Sequence, residues 1–118
     1  MLVKALKAKI HRATVTDAEL NYPGSVAIDT NLLKASGIRP YEEVLLANIN
    51  NGERVETYVV PAPEGSGRIG ILGAAARKFE PGDIVIIINF GYYSPEEMEK
   101  HKPVVVVADD KNGIAKTM

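Results

Sequence analysis

The 118 residues suffice for one domain with a core of its own and are too few for two. Apolar residues make up 46% and charged ones 25%, the balance of an ordinary globular protein, and the net charge of -1 removes the electrostatic case for nucleic acid or an anionic membrane as partner. No cysteine is present, which excludes disulfide frameworks, thiol nucleophiles and Cys-ligated zinc.

Lysines at positions 4, 7 and 9 break the N-terminal stretch before a secretory apolar segment builds up. The apolar run Ile84 to Ile88 is far too short to span a bilayer, so a cytoplasmic protein is expected. Leu6, Ala8 and Ile10 alternate with Lys7, Lys9 and His11, a period-two pattern that predicts a strand with Lys9 and His11 on one face. Leu2, Leu6 and Ile10 also fit a helical spacing. Asn21-Tyr22-Pro23-Gly24 reads as a turn, and Ser25 to Ile28 restarts a strand. Asp29 then caps a short helix, Thr30 to Ser36, which Gly37 closes.

Val44 to Ile49 and Arg54 to Val60 read as strands joined by the Asn50-Asn51-Gly52 turn. In the second of these, Arg54, Glu56 and Tyr58 share one face and Val55, Thr57 and Val59 the other. Ile69 to Leu72 predicts a strand, and Gly73 to Lys78 a small-residue helical turn. Pro81-Gly82-Asp83 turns the chain into a strand from Ile84 to Phe90. Ser94-Pro95-Glu96-Glu97 carries an N-cap, a proline at the first helical position and a capping-box glutamate. After that short helix come a strand from Val104 to Ala108 and a polar tail, with His101 left on the surface. An internal echo is present: strand, brief helix, proline-marked turn and strand occur first around Pro40 and again around Pro81. Two such units with flanking strands suggest a small pseudo-symmetric barrel.

A Gly-Ser pair in a turn is ordinarily only a turn. Here it stands in context: Lys9-Ile10-His11-Arg12 and Tyr22-Pro23-Gly24-Ser25 precede Gly52-Glu53-Arg54-Val55-Glu56-Thr57-Tyr58, Gly73-Ala74-Ala75-Ala76 and Pro81-Gly82-Asp83. From about Lys4 to Asn112 the chain resembles the pyruvoyl-dependent aspartate 1-decarboxylase family. The resemblance implies a double-psi β-barrel, a homotetramer with sites between neighbouring subunits, and decarboxylation of L-aspartate to β-alanine for pantothenate and coenzyme A synthesis. It implies a covalent pyruvoyl cofactor derived from Ser25, with the chain cut between Gly24 and Ser25; a helper protein could assist that maturation.

The chemistry fits the residues. The Ser25 hydroxyl attacks the Gly24 carbonyl and turns the amide into an ester, a step that planar amides resist unless the turn is strained. Elimination of the ester leaves dehydroalanine, which hydrolyses to ammonia and a ketone able to condense with an amine and accept an electron pair. By the same resemblance Tyr58 is the proton donor. Arg54 and Lys9 bind carboxylate, and Thr57 assists the Gly24 carbonyl while contributing to the substrate site. Gly73, Ala74 and Ala75 offer backbone donors, and Tyr22 and His11 support the cleavage turn. A planar guanidinium suits a carboxylate, and two cations suit a dicarboxylate. No metal site is expected, since His11 and His101 lack ligand spacing. This sequence departs from the family at Leu72, where asparagine is frequent, and at Pro23. The competing reading is a non-catalytic β-barrel that binds a ligand or partner with Gly24-Ser25 intact. An unrelated serine hydrolase is disfavoured because no His and Asp set accompanies Ser25.

Overall fold

The computed structural model describes all 118 residues. Nine strands form one mixed sheet: β1 (Val3–Thr14), β2 (Asp17–Glu19), β3 (Ser25–Asp29), β4 (Glu43–Asn48), β5 (Arg54–Ala62), β6 (Ile69–Leu72), β7 (Ile84–Tyr93), β8 (Val104–Ala108) and β9 (Ile114–Thr117). The helices are short: α1 (Thr30–Ser36), a 3-10 helix over Gly73–Lys78, and α2 (Pro95–Lys100). The fold is mainly β, as expected. The strand order β2-β6-β3-β5-β4-β7-β1-β8-β9 begins on β2 and comes back to β1, which β2 continues after two residues. Between them the Thr16 amide still donates to the Ile69 carbonyl at 2.9 Å. The ladder thus leaves from and returns to one stretch of chain, the connectivity of a barrel-like sheet.

The internal echo has a structural counterpart. The first strands of the two units, β3 and β6, pair antiparallel, and so do the second strands, β4 and β7. Like pairs with like, as a local two-fold relation requires. One face of this sheet packs inward, where Ile10, Val26, Ile28, Leu46, Val59 and Ile87 form the core. At about 25 cal/mol per Å² of apolar surface removed from water, each such side chain contributes roughly 1.5–3 kcal/mol.

Local sequence explains the helix ends. Asp29, 2% exposed, accepts from the Asn31 amide at 2.8 Å and from the Gly65 and Gly67 amides at 3.0 and 2.7 Å. It caps α1 and ties down the loop before β6. Asp29→Asn keeps an acceptor but loses the charge shared by three donors, so it is expected to cost about 1–2 kcal/mol, read as a lower urea midpoint at unchanged m. Gly37 ends α1 at φ +77, and Ser94 with Glu97 forms the expected capping box of α2.

Two expectations need correction, and one strand, β2, had carried no expectation. The tail is not merely polar coil: Ile114–Thr117 pairs with β8, whose open edge offers unpaired backbone groups. Asp17–Glu19 is a short strand against β6. His101 is not a free surface residue, since its Nε2 lies 2.6 Å from the Leu6 carbonyl and its ring stacks on Tyr93 with centroids 4.1 Å apart.

Candidate active site

The Gly24-Ser25 peptide sits where the turn ends and β3 begins. Gly24 holds φ +111, a conformation L side chains rarely adopt. Ser25 is 1% exposed, and its Oγ is buried with no hydrogen-bond partner. A buried hydroxyl without a partner costs roughly 1–3 kcal/mol, so its retention is a sign of chemistry beyond packing. Opposite Ser25 across the β3–β6 ladder stands Leu72, and the chain then turns through Gly73 at φ +84. A Cβ on Gly73 would lie 2.6 Å from the Gly24 Cα, 2.8 Å from its nitrogen and 2.9 Å from the Tyr22 carbonyl oxygen. The start of the Gly73–Lys78 helix is therefore pressed against the Tyr22–Gly24 turn, and only glycine permits that approach.

β5 runs parallel to β3 with Val26 opposite Val59 and Ala27 opposite Val60. Continuing that register places Ser25 level with Tyr58 and Gly24 level with Thr57. Tyr58 and Thr57 face opposite sides of β5, yet the two residues they must serve are also consecutive. Tyr58 is 40% exposed, and its hydroxyl is free to meet a ligand. Leu72 packs with Ala27, Ala62 and Val60 in a small apolar cluster.

The cations lie elsewhere. Arg54 begins β5, four residues before Tyr58, and Lys9 and His11 are on β1. β1 is separated from β3 by β7, β4 and β5, which at about 4.8 Å per ladder puts Lys9 roughly 19 Å from Ser25 across the sheet. Within one chain the structure gathers Tyr22, Gly24, Ser25, Thr57, Tyr58 and the Gly73–Ala75 turn. Lys9, His11 and Arg54 are not brought to it. All three nevertheless face away from the core, as Ser25 and Tyr58 do. The four ion pairs of the structure, Lys7–Glu42, Lys34–Glu64, Arg68–Asp17 and Lys78–Glu53, include neither Lys9 nor Arg54. Burial, with Lys9 and Arg12 nearby, holds the His11 imidazole below its ordinary pKa. A cavity of about 190 Å³ lined by Lys4, Glu43, Glu56, Asn89, Phe90 and Tyr92 lies further along this face and contains none of the cleavage residues.

A protein family described as "Aspartate decarboxylase" matches residues 1–115. The chain belongs to that family. It is 53% identical to the aspartate 1-decarboxylase of Desulfotalea psychrophila over 114 residues, covering 97% of this chain and 96% of the relative. The aspartate 1-decarboxylase of Phenylobacterium zucineum is likewise 53% identical, over 98% of both chains, and that of Listeria welshimeri 51% identical over 92% of this chain and 86% of the relative. Family members of this size and near-complete overlap make the placement of Gly24-Ser25 at a wedged turn a property to be explained chemically.

Sequence reasoning passed over one residue in this neighbourhood. Arg12 is a non-glycine residue with φ +61, at a register shift between Ile10 and Ala13. The signal was legible: the alternation in β1 breaks there, since Ile10 and Ala13 are both core residues and lie three apart where a regular strand requires an even spacing.

Proposed function

We propose that this chain cuts itself after Gly24, converts Ser25 into a pyruvoyl group and uses it to decarboxylate L-aspartate to β-alanine. The observation that carries this reading is the buried, unpartnered Ser25 Oγ directly after a glycine at φ +111, in a chain of the aspartate decarboxylase family. The residues suit the group. Ser25 is buried, its hydroxyl has no structural bond to lose, and glycine at position 73 spares the Gly24 backbone a clash.

When formed, the ketone supplies an electron sink for the pair left behind as carbon dioxide departs. The chain's own residues do the rest. Thr57, level with Gly24, donates to the carbonyl under attack during cleavage, which makes its carbon more electrophilic. Tyr58, level with Ser25, delivers a proton to the substrate carbon. Arg54 and Lys9 bind the aspartate carboxylates, Arg54 by a bidentate fork and Lys9 as a point charge. The Gly73, Ala74 and Ala75 amides and Tyr22 complete the surroundings of the turn, and His11, on β1, comes with the cations. Since Lys9 and Arg54 lie on a different part of the sheet from Ser25, the site is shared: one copy supplies Ser25 and the Gly73 turn, a neighbour supplies the cations. A homotetramer of double-psi barrels would provide that arrangement, working in the cytoplasm on β-alanine supply for pantothenate.

Intact mass of the purified protein, before and after hydroxylamine, tests the reading together with a β-alanine assay. Two fragments meeting at Gly24 and Ser25, the longer beginning with a hydroxylamine-reactive carbonyl, are expected. A single uncut and inactive chain after prolonged warm incubation with a maturation helper would leave a binding module. Tyr58→Phe is expected to mature like the parent and to lower kcat by about 10²-fold, the usual worth of a positioned proton donor. Leu72→Asn would place an amide opposite Ser25, and a faster cleavage time course would identify polarity at that point as rate-limiting.

A further inference from the structure

β1 changes its inward-facing set at one place. Ile10 and Ala13 are both fully buried, and in the ladder with β7 Ile10 faces Ile87 while Ala13 faces Val85. His11 and Arg12 are therefore both fitted opposite Ile86, two residues against one, as in a β-bulge. The extra residue takes φ +61, a left-handed conformation that is unfavourable for a side chain carrying a Cβ. Glycine or asparagine would adopt it more cheaply. An arginine held in that geometry has its side chain committed to the outward face of the sheet, where it is exposed.

The ladders continue from Ile86. Ile86 pairs with Ala47, and Ala47 with Arg54. Arg12 and Arg54 thus stand at the two ends of one row that crosses four strands, over a floor of Ile86 and Ala47. The next row runs from Lys9 through Ile88 and Leu45 to Glu56. The two rows hold three long cationic side chains around an aliphatic floor, with Glu56 as their one carboxylate. Three ladders at about 4.8 Å separate β1 from β5 by roughly 14 Å, a gap that arginine and lysine side chains narrow from both sides to the span of a small dianion. None of Lys9, Arg12 and Arg54 belongs to an ion pair, whereas Lys7 on the same strand is held by Glu42 at 2.7 Å.

We propose that Arg12 is a substrate-binding residue, which together with Lys9 and Arg54 holds the two carboxylates of a four-carbon dicarboxylic amino acid over the Ala47–Ile86 floor. This rests on the reading of the outward face as the cationic half of the decarboxylase site. His11, beside Arg12 on the bulge, has a buried Nδ1 without a partner, and burial together with its two cationic neighbours lowers its pKa. It fills the bulge and leaves the charge to Arg12. The bulge adds a second cation on β1, so that Arg12, in the row of Arg54, and Lys9, in the row of Glu56, face the floor from the same side.

The test uses the full purified protein and its Arg12→Gln and Arg12→Asn variants. Asn is included because it tolerates positive φ and so preserves the bulge. Succinate binding is measured by calorimetry, aspartate turnover by steady-state kinetics, cleavage by intact mass and folding by Tm. Both variants are expected to cleave and melt like the parent, to weaken succinate about ten-fold or more and raise KM for aspartate in parallel, with kcat changed by less than about three-fold. Arg12→Lys is expected to fall between, because a lysine lacks the planar fork. A parent that turns over aspartate, with variants within two-fold of it in both succinate affinity and KM, overturns the Arg12 assignment and leaves the decarboxylase reading standing. A parent that binds succinate but never cleaves or decarboxylates, with binding lost in both variants, supports the Arg12 site and overturns the decarboxylase reading. A parent that does neither overturns both.

Discussion

Ser25→Ala is expected to remain a single 12.8 kDa chain and to form no β-alanine above background. In the proposed maturation the hydroxyl is the attacking group and its carbon skeleton becomes the ketone, so one atom's removal would abolish both the nucleophile and the cofactor. Stability provides the internal control. Ser25 is 1% exposed and its Oγ has no hydrogen-bond partner, so its deletion strands no donor or acceptor. Removing it relieves the penalty of an unsatisfied buried hydroxyl, so the variant should be more stable than the uncut parent by about 1 kcal/mol or more. Mass spectrometry, β-alanine assay and urea denaturation check the three parts. A Ser25→Ala protein that still yielded two fragments would place the scissile bond elsewhere.

Gly73→Ala is expected to be the most damaging single methyl group in the chain. Two effects add. Gly73 has φ +84, where a Cβ costs about 1 kcal/mol or more, and that Cβ would stand 2.6 Å from the Gly24 Cα. The obstacle is backbone, which cannot swing aside like a flexible side chain. Separating the Gly73 turn from the Gly24 turn would open the β3–β6 pairing at Ser25 and Leu72. A loss of about 3 kcal/mol is expected, seen as a Tm lowered by roughly 10 °C, with cleavage slowed at least about ten-fold. Gly52→Ala isolates the backbone part, since Gly52 has φ +77 but nothing within 4 Å of its Cβ position. It should lose only about 1 kcal/mol and cleave normally. Equal effects at the two glycines would mean that the contact with Gly24 contributes nothing.

The two expectations together separate the roles of the turn. Ser25 supplies reactive atoms and little stability; Gly73 supplies no reactive atom and fixes the geometry in which Ser25 reacts. A fold that keeps a buried hydroxyl unsatisfied and a glycine at backbone contact distance has given up local stability at the point where the proposed cut falls.

Local chemistry made much of this protein readable in one dimension. Asp29 and Gly37 bound α1, and Ser94 with Glu97 starts α2, because caps satisfy backbone groups within a few residues. Ile69–Leu72 and Val104–Ala108 were legible as apolar runs, and the outward set Arg54, Glu56 and Tyr58 as alternation. Gly24-Ser25, with the spaced motifs around it, pointed to the family. Other features exist only through partners distant in sequence. Asp17–Glu19 and Ile114–Thr117 carry no strand pattern of their own, and all four residues of the latter are exposed. They are strands because β6 and β8 present unpaired backbone edges to them. His101 is drawn in by the Leu6 carbonyl, 95 residues away. The spacing of Lys9 from Ser25 was likewise set by the strand order, since a sequence fixes which face a side chain takes while the ladders fix how far apart two strands lie. Arg12 joined Arg54 in one row only because the bulge and two successive ladders aligned them, a relation between three strands that no local pattern encodes.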